Sequence, residues 1–487
     1  MYRKSTLKLA QLAILISGLC SSCAINDYIH PNISDKDSID VDLANKQIEQ
    51  QKKAEEALIA AEKQQQAEAK LTELLWPREI QFKSSVAKIY ADNEYELLWA
   101  DKAAEQYFLK EYALMVASGI SSRSARSLDT ISLTDPADKL AYDVLLTDAF
   151  LDYMYYAQNV SHSAQSWLYS VNAYKPSQPN EEQIMVWLSA VKNNQNLNYL
   201  HGLNTDNSLY RQTIDKLVSL VSTNKASLGT ENLYKLAINV QRLRIIPNFN
   251  NGIFVNIPSY QLNYYRDGKL ILNSRVVVGK NERRTPVMYS KLSNVVVNPP
   301  WNAPIRLINE DIVPKIKRNP GYLESHGYSI IDSNGNKVNP SNINWASIGS
   351  KFPYHIRQDA GDNSALGRFK FNMPSSDAIY LHDTPNHSIF DKKDRALSSG
   401  CVRVDKSNQL ASILLKEAGW SEEKKQSVLD SKKTTSATIR SDNPVYLYYV
   451  TSWVENGKIN LLPDIYGYDS IRQPSYVNWN TLKKYLH

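Results

Sequence analysis

Ile253-Phe-Val-Asn-Ile-Pro258, Tyr260-Gln-Leu-Asn-Tyr-Tyr265 and Leu270-Ile-Leu-Asn-Ser-Arg-Val-Val-Val278 are three runs rich in β-branched and aromatic residues, with Asp267-Gly268 between the last two. Such runs read as strands, and Asp-Gly between two of them is a hairpin turn, because both central residues of that turn need positive φ. Further strand-like runs follow at Val295-Val-Val297, Ala378-Ile-Tyr-Leu381 and Val445-Tyr-Leu-Tyr-Tyr-Val450. Residues 246–487 are therefore expected to form a mostly β domain. The Asn-, Ser-, Pro- and Gly-rich stretch 298–365 is expected as a large insertion between its strands.

Upstream of Pro247 the period changes from two to about 3.6. Tyr142, Leu146, Ala149, Phe150 and Tyr153 share one helical face, and Asp135-Pro136 ahead of them predicts an N-cap and first turn. Ile184–Val191, Ile214–Val221 and Leu233–Leu243 repeat the pattern. Residues 79–245 thus read as a helical scaffold domain whose aromatics fill its core, so the fold class is α+β. Residues 44–75 are almost wholly Ala, Gln, Lys and Glu, strong helix formers with apolar positions too sparse for a coiled-coil seam. With the polar leader before them, residues 25–78 are expected as a leader and solvated helical stalk.

At the N-terminus, Arg3 and Lys4 precede the apolar run Leu9–Ile16, and small residues follow as far as Ala24. This is the layout of an export signal over residues 1–24, shorter than a membrane span. It places the protein in the periplasm or cell envelope. Cys23 is a candidate lipid-attachment residue, and plain cleavage after Ala24 is the alternative.

Composition narrows the function. The chain has 487 residues, 43% of them hydrophobic and 22% charged, which is ordinary for folded protein. Its formal net charge is only +6, and three basic residues lie in the first eight, so the electrostatic footprint of a nucleic-acid binder is missing. Of three cysteines, Cys20 and Cys23 belong to the signal and Cys401 stands alone, which excludes a disulfide framework.

Cys401 lies in Ser398-Ser-Gly-Cys-Val-Arg403, and His382 lies 19 residues earlier in Tyr380-Leu-His-Asp-Thr-Pro385. A cysteine nucleophile works as the thiolate, and an adjacent imidazole is its usual activator at neutral pH. Gly400 permits a tight turn that can aim amides at an oxyanion. Arg403 falls on the same strand face as Cys401, where it can bind a carboxylate or lower the thiol pKa. His387 falls in a loop and reads as solvent-exposed. A buried structural cysteine is the plain alternative; the joint setting of Cys401 and His382 argues against it.

These residues resemble the YkuD-type L,D-transpeptidases, and the long YcbB-type members above all. The resemblance also covers Asn239-Val-Gln-Arg-Leu-Arg244, Phe254-Val-Asn-Ile-Pro-Ser259, Val295-Val-Val-Asn-Pro-Pro-Trp301, Asn319-Pro-Gly-Tyr-Leu-Glu-Ser-His-Gly327 and Leu366-Gly-Arg-Phe-Lys-Phe-Asn-Met-Pro374. It implies a β-sandwich-like catalytic domain over 246–487, a mobile capping insertion at 298–365 and a helical scaffold upstream. Ser399 stands where many members have His, and no peptidoglycan-binding domain is recognisable between about 195 and 235.

The resemblance implies Cys401 as nucleophile and His382 as general base and then acid, oriented by the backbone carbonyl of Asp383. It implies an oxyanion hole at Gly400 and Cys401 aided by Tyr380, a donor site shaped by Ser398, Ser399 and Arg403, and Trp301 as its cover. The substrates implied are peptidoglycan tetrapeptide stems as donor and acceptor, joined as 3→3 cross-links through a thioester with loss of D-alanine. Carbapenems are implied as acylating inhibitors, cell-wall synthesis proteins as partners, and no metal or cofactor is called for. L,D-carboxypeptidase or D-amino-acid exchange activity and a catalytically silent envelope scaffold are the alternatives. A papain-like protease is disfavoured because His precedes Cys in the chain.

Overall fold

The computed structural model describes residues 35–170, 174–205, 207–223, 229–469 and 474–487. The expected export signal, with Cys20 and Cys23, lies outside them. The described residues fall into two units, one ending at Ala69 and the other running from Lys70 to His487. The first consists of the described residues, up to Ala69, of a largely exposed helix, Asp35–Leu75. This helix begins inside the stretch expected as a leader. Among the described residues no helix is long and apolar enough to cross a membrane.

From Lys83 to Arg244 the second unit is helical, with Lys102–Ala117 and Lys139–Leu168 as its longest central elements. Trp99, Phe108, Phe150 and Trp187 pack ring against ring at its centre, with centroids 4.8–6.0 Å apart. Buried Asp143 accepts the backbone N–H groups of Leu98 and Trp99, and Asp148 those of Gln81 and Phe82. These carboxylates satisfy chain ends entering the core, which would otherwise be orphaned. The helix expected to be capped at Asp135 starts one turn later, at Lys139. Asp135 instead closes a turn, its carboxylate accepting from Ala137 N–H and its carbonyl from Asp138 N–H.

The helix Gly229–Arg244 leads into the β domain. Arg242, fully buried, donates to the carbonyls of Leu168 and Tyr468 and pairs with Asp469. Asn239 accepts Thr451 N–H at 2.9 Å. A paired, fully hydrogen-bonded arginine of this kind ties helical and β halves at fixed register.

The β domain is built on a long curled sheet in the order β14-β5-β10-β11-β13-β3-β2-β1-β15-β4, and Ser452–Glu455 and Lys458–Leu461 pair as a separate two-stranded sheet. Its strands are β1 (Gly252–Asn256), β2 (Gln261–Arg266), β3 (Lys269–Gly279), β4 (Met288–Lys291), β5 (Asn294–Val297), β10 (Phe369–Asn372), β11 (Leu381–His382), β13 (Val402–Val404), β14 (Thr435–Thr438) and β15 (Pro444–Tyr448), with β12 (Ala396–Ser398) pairing to β3. The β2–β3 hairpin turns at Asp267 and Gly268, both at positive φ. The strand expected over 378–381 is shortened to Leu381–His382, because Ala378 takes φ 53° and breaks the extended chain.

Between β5 and β10, which are themselves paired, the insertion folds around its own core of Ile308, Ile312, Val313, Ile316, Ile330 and Ile356. It carries β6 (Trp301–Asn302), β7 (Tyr328–Ile331), β8 (Lys337–Val338) and β9 (His355–Gln358) in the order β6-β9-β7-β8. Its helical stretch passes through a π-helical turn at Ile308–Ile312, just ahead of Pro314, which has no N–H to give.

Candidate active site

The site lies where β10, β11 and β13 run side by side. Lys370 on β10 is in register with His382 on β11, and His382 with Arg403 on β13, so the three side chains rise in one row from one sheet face. Tyr380 and Cys401, each two residues earlier along its strand, belong to the same face. The sheet thus brings together His382, Tyr380, Cys401 and Arg403 of the motif residues, and adds Lys370.

Cys401 enters β13 through a turn that is held from several sides. Gly400 takes φ 121°, and a Cβ there would sit 3.3 Å from Ile379 Cδ1. Ser398 Oγ donates to the Cys401 carbonyl at 2.6 Å and accepts Gly400 N–H at 3.1 Å. Thr285 Oγ1 donates to the Gly400 carbonyl at 2.7 Å and accepts Gly279 N–H at 2.8 Å. One expectation changes here: the Gly400 amide is taken by Ser398 and is not offered to an oxyanion. The Ser398 hydroxyl is spent inside the turn and positions the cysteine, and Ser398 still lines the cavity over Cys401 as expected.

His382 is buried, and its Nδ1 donates to the Asp383 carbonyl 2.5 Å away, which leaves Nε2 without its proton. The Asp383 carboxylate turns elsewhere: Ser407 Oγ donates to it at 2.7 Å and Arg368 N–H at 2.8 Å. Gly367, at φ 60°, makes room for it, since a Cβ there would meet Oδ2 at 2.4 Å. His387 is half-exposed, with Nε2 3.5 Å from the same carboxylate.

Burial, then Arg403 and Lys370, push the His382 pKa down to about 3, against the opposing hydrogen bond to Asp383. Burial also raises the Cys401 thiol, although the Tyr380 N–H and hydroxyl, Lys370 and Arg403 all pull it back. Arg403 therefore favours the thiolate as expected, but desolvation outweighs it. The resting pair is a neutral imidazole and a thiol, whose Sγ donates to the Ala378 carbonyl at 3.8 Å. Tyr380 is placed differently from an oxyanion helper, because its N–H and O–H both face the sulfur. Trp301 from the insertion comes close enough to the Tyr380 hydroxyl to offset part of the rise that burial gives its pKa.

A cavity of about 260 Å³ opens over this face, floored by Tyr380, His382, Cys401 and Arg403 and roofed by Trp301, Leu307, Ile312, Tyr322 and Tyr328 of the insertion. Ser399 lines it too, with its Oγ accepting from Arg283 at 3.2 Å. Arg283 also pairs with Glu310 and Asp311 of the insertion, so one guanidinium joins the cysteine turn to the roof. Sequence reasoning missed Lys370, Arg283 and Thr285. Only the run Leu366–Pro374 signalled Lys370, and nothing in it marked one residue.

The L,D-transpeptidase catalytic domain family, YkuD, matches residues 250–435, and the scaffold domain family matches residues 84–217. A Haemophilus influenzae protein named "Putative L,D-transpeptidase" is 57% identical over 489 residues, 99% of each chain. The chain belongs to the L,D-transpeptidase family. It joins a helical scaffold to a β-rich catalytic domain, and its activity is that of a transferase. Among solved structures, the Ldtfm–avibactam carbamoyl enzyme aligns with 12% identity over 46% of this chain and 63% of that one, at a TM-score of 0.19. The polar row of this L,D-transpeptidase lies within the matched catalytic segment, and the Trp301 roof does as well.

Proposed function

We propose that this L,D-transpeptidase forms 3→3 cross-links between diaminopimelate residues of peptidoglycan stem peptides through a Cys401 thioester. His382 Nε2 takes the thiol proton as Sγ attacks the carbonyl at the L-centre of the donor diaminopimelate. The same proton goes to the amine of the departing D-alanine as the C–N bond breaks. An amine from a second stem then attacks the thioester; a C–N bond forms, the C–S bond breaks, and His382 returns a proton to sulfur. Two acyl transfers through a good leaving group replace one difficult step.

The observation that carries this reading is the neutral, carbonyl-anchored imidazole beside a thiol on one face of a roofed cavity. A neutral imidazole can accept the thiol proton, and the roof over the site limits access of water to the thioester. The oxyanion is assigned to the Cys401 N–H, while the Tyr380 hydroxyl facing the sulfur stabilises the thiolate. Trp301 covers the donor.

Export to the periplasm or envelope, with Cys23 as the lipid-bearing residue, belongs to the same reading, and mass spectrometry of the mature N-terminus tests it. The chemistry is tested by incubating the protein with tetrapeptide muropeptides. Dimers and free D-alanine are expected from wild type and none from Cys401→Ala, with a carbapenem adding its mass at Cys401. Equal dimer yields would overturn the reading, and tripeptide stems without dimers would make the enzyme a carboxypeptidase.

A further inference from the structure

His382 stands between two cations that have no counter-charge. Lys370 and Arg403 occupy the neighbouring register positions on β10 and β13, one on each side of it. Among the described residues neither makes an ion pair, and the buried Arg403 Nε has no hydrogen-bond partner. Lys370 Nζ instead lies over the Tyr380 ring, 4.2 Å from its centroid. Both interact electrostatically with Cys401, and burial lowers the pKa of each. Partly buried cations without anions are costly, and a ligand that brings carboxylates offsets that cost.

The two cations are not equivalent. Arg403 lines the cavity under the insertion, whereas Lys370 stands on the opposite side of His382 and Tyr380, outside that lining. A transpeptidase meets two substrates at one sulfur, and its general base serves both: it protonates the departing amine and deprotonates the entering one. Each amine sits on a carbon bearing a carboxylate, because the leaving group is a D-amino acid and the acceptor centre of diaminopimelate is one too.

We infer that Lys370 is the acceptor-specificity residue, gripping the carboxylate beside the attacking amine while Arg403 takes the carboxylate of the donor's leaving residue. The acceptor class is then an α-amino acid whose amine and neighbouring carboxylate are both free. In the step concerned the amine nitrogen bonds to the thioester carbon, the C–S bond breaks, and the amine's proton passes by His382 to sulfur. This rests on the thioester reading proposed above.

The test partitions one acyl-enzyme between two acceptors. Wild-type protein acylated by a tetrapeptide stem is offered D-methionine and D-methioninamide, and exchange products are quantified. Lys370→Met should lower the D-methionine to D-methioninamide product ratio at least about tenfold, and Lys370→Arg should restore most of it. Because both products come from the same acyl-enzyme, slower acylation or partial misfolding changes yield but not the ratio. An unchanged ratio in Lys370→Met would overturn the inference. Wild type that forms no acyl-enzyme at all would instead overturn the thioester reading.

Discussion

His382 takes its orientation from the backbone carbonyl of Asp383, with Nδ1 2.5 Å from that oxygen, and not from the Asp383 carboxylate. The carboxylate is engaged by Ser407 and Arg368 N–H, at 2.7 and 2.8 Å. In a Ser-His-Asp triad, replacing the acid by its amide costs about 10⁴ in kcat because the imidazole adopts the wrong tautomer. Here Asp383→Asn should leave carbapenem acylation within about tenfold of wild type, since the backbone carbonyl survives. Its loop should weaken by about 1–3 kcal/mol in urea unfolding, because a carboxylate acceptor becomes a donor opposite an N–H or a hydroxyl.

The His382 pKa leads to a stability prediction with a definite sign. Above about pH 6.5 the imidazole is neutral in both folded and unfolded chains and contributes no slope. Below it the unfolded chain binds a proton that the folded one refuses until about pH 3, so stability falls as pH drops through that window. The slope from this group approaches about 1.4 kcal/mol per pH unit. His382→Asn should flatten the curve of unfolding free energy against pH between 6 and 4 by roughly that amount.

The same pKa bears on activity. With the imidazole already neutral, the acid limb of the acylation-rate profile should show no inflection near the usual histidine value of 6.5. Stopped-flow acylation by a carbapenem between pH 5 and 9 measures it. An inflection near 6.5 would contradict the lowered His382 pKa.

Arg283 joins the cysteine turn to the insertion through Ser399, Glu310 and Asp311. Arg283→Ala should loosen the roof over Cys401 and admit water. The expected result is a several-fold faster hydrolysis of the acyl-enzyme relative to aminolysis, read as more tripeptide per dimer, while Arg283→Lys keeps part of the effect because a point charge cannot bridge three groups.

Thr285 holds the turn by donating to the Gly400 carbonyl and accepting Gly279 N–H. Thr285→Val keeps the shape and removes both bonds at a fully buried position. It should cost about 2 kcal/mol of stability and slow acylation by about tenfold or more through misplacement of the sulfur. Parallel unfolding and acylation assays separate the two effects.

Much of the architecture was legible along the chain because it depends on local periodicity. The change near Pro247 from helical to strand spacing marks the entry to the sheet, and Asp267-Gly268 makes its turn at positive φ. The insertion was visible as a loop-rich stretch, yet its own apolar core was not, since Ile308, Ile330 and Ile356 meet only when β7 and β9 pair. The 378–381 strand was overestimated because the positive φ of Ala378 has no signature in an alanine.

The site divides along the same line. Cys401, His382, Gly400 and Arg403 form a recognisable motif, and the lone internal cysteine was apparent by count. The sequence by itself determined the reacting groups and the order of helical and β halves, because residue chemistry and period are local properties. Only the tertiary structure decided which amide is already occupied and that Lys370 and Arg403 flank the imidazole. Those facts follow from strand register between segments up to 33 residues apart, and register is set by the whole sheet.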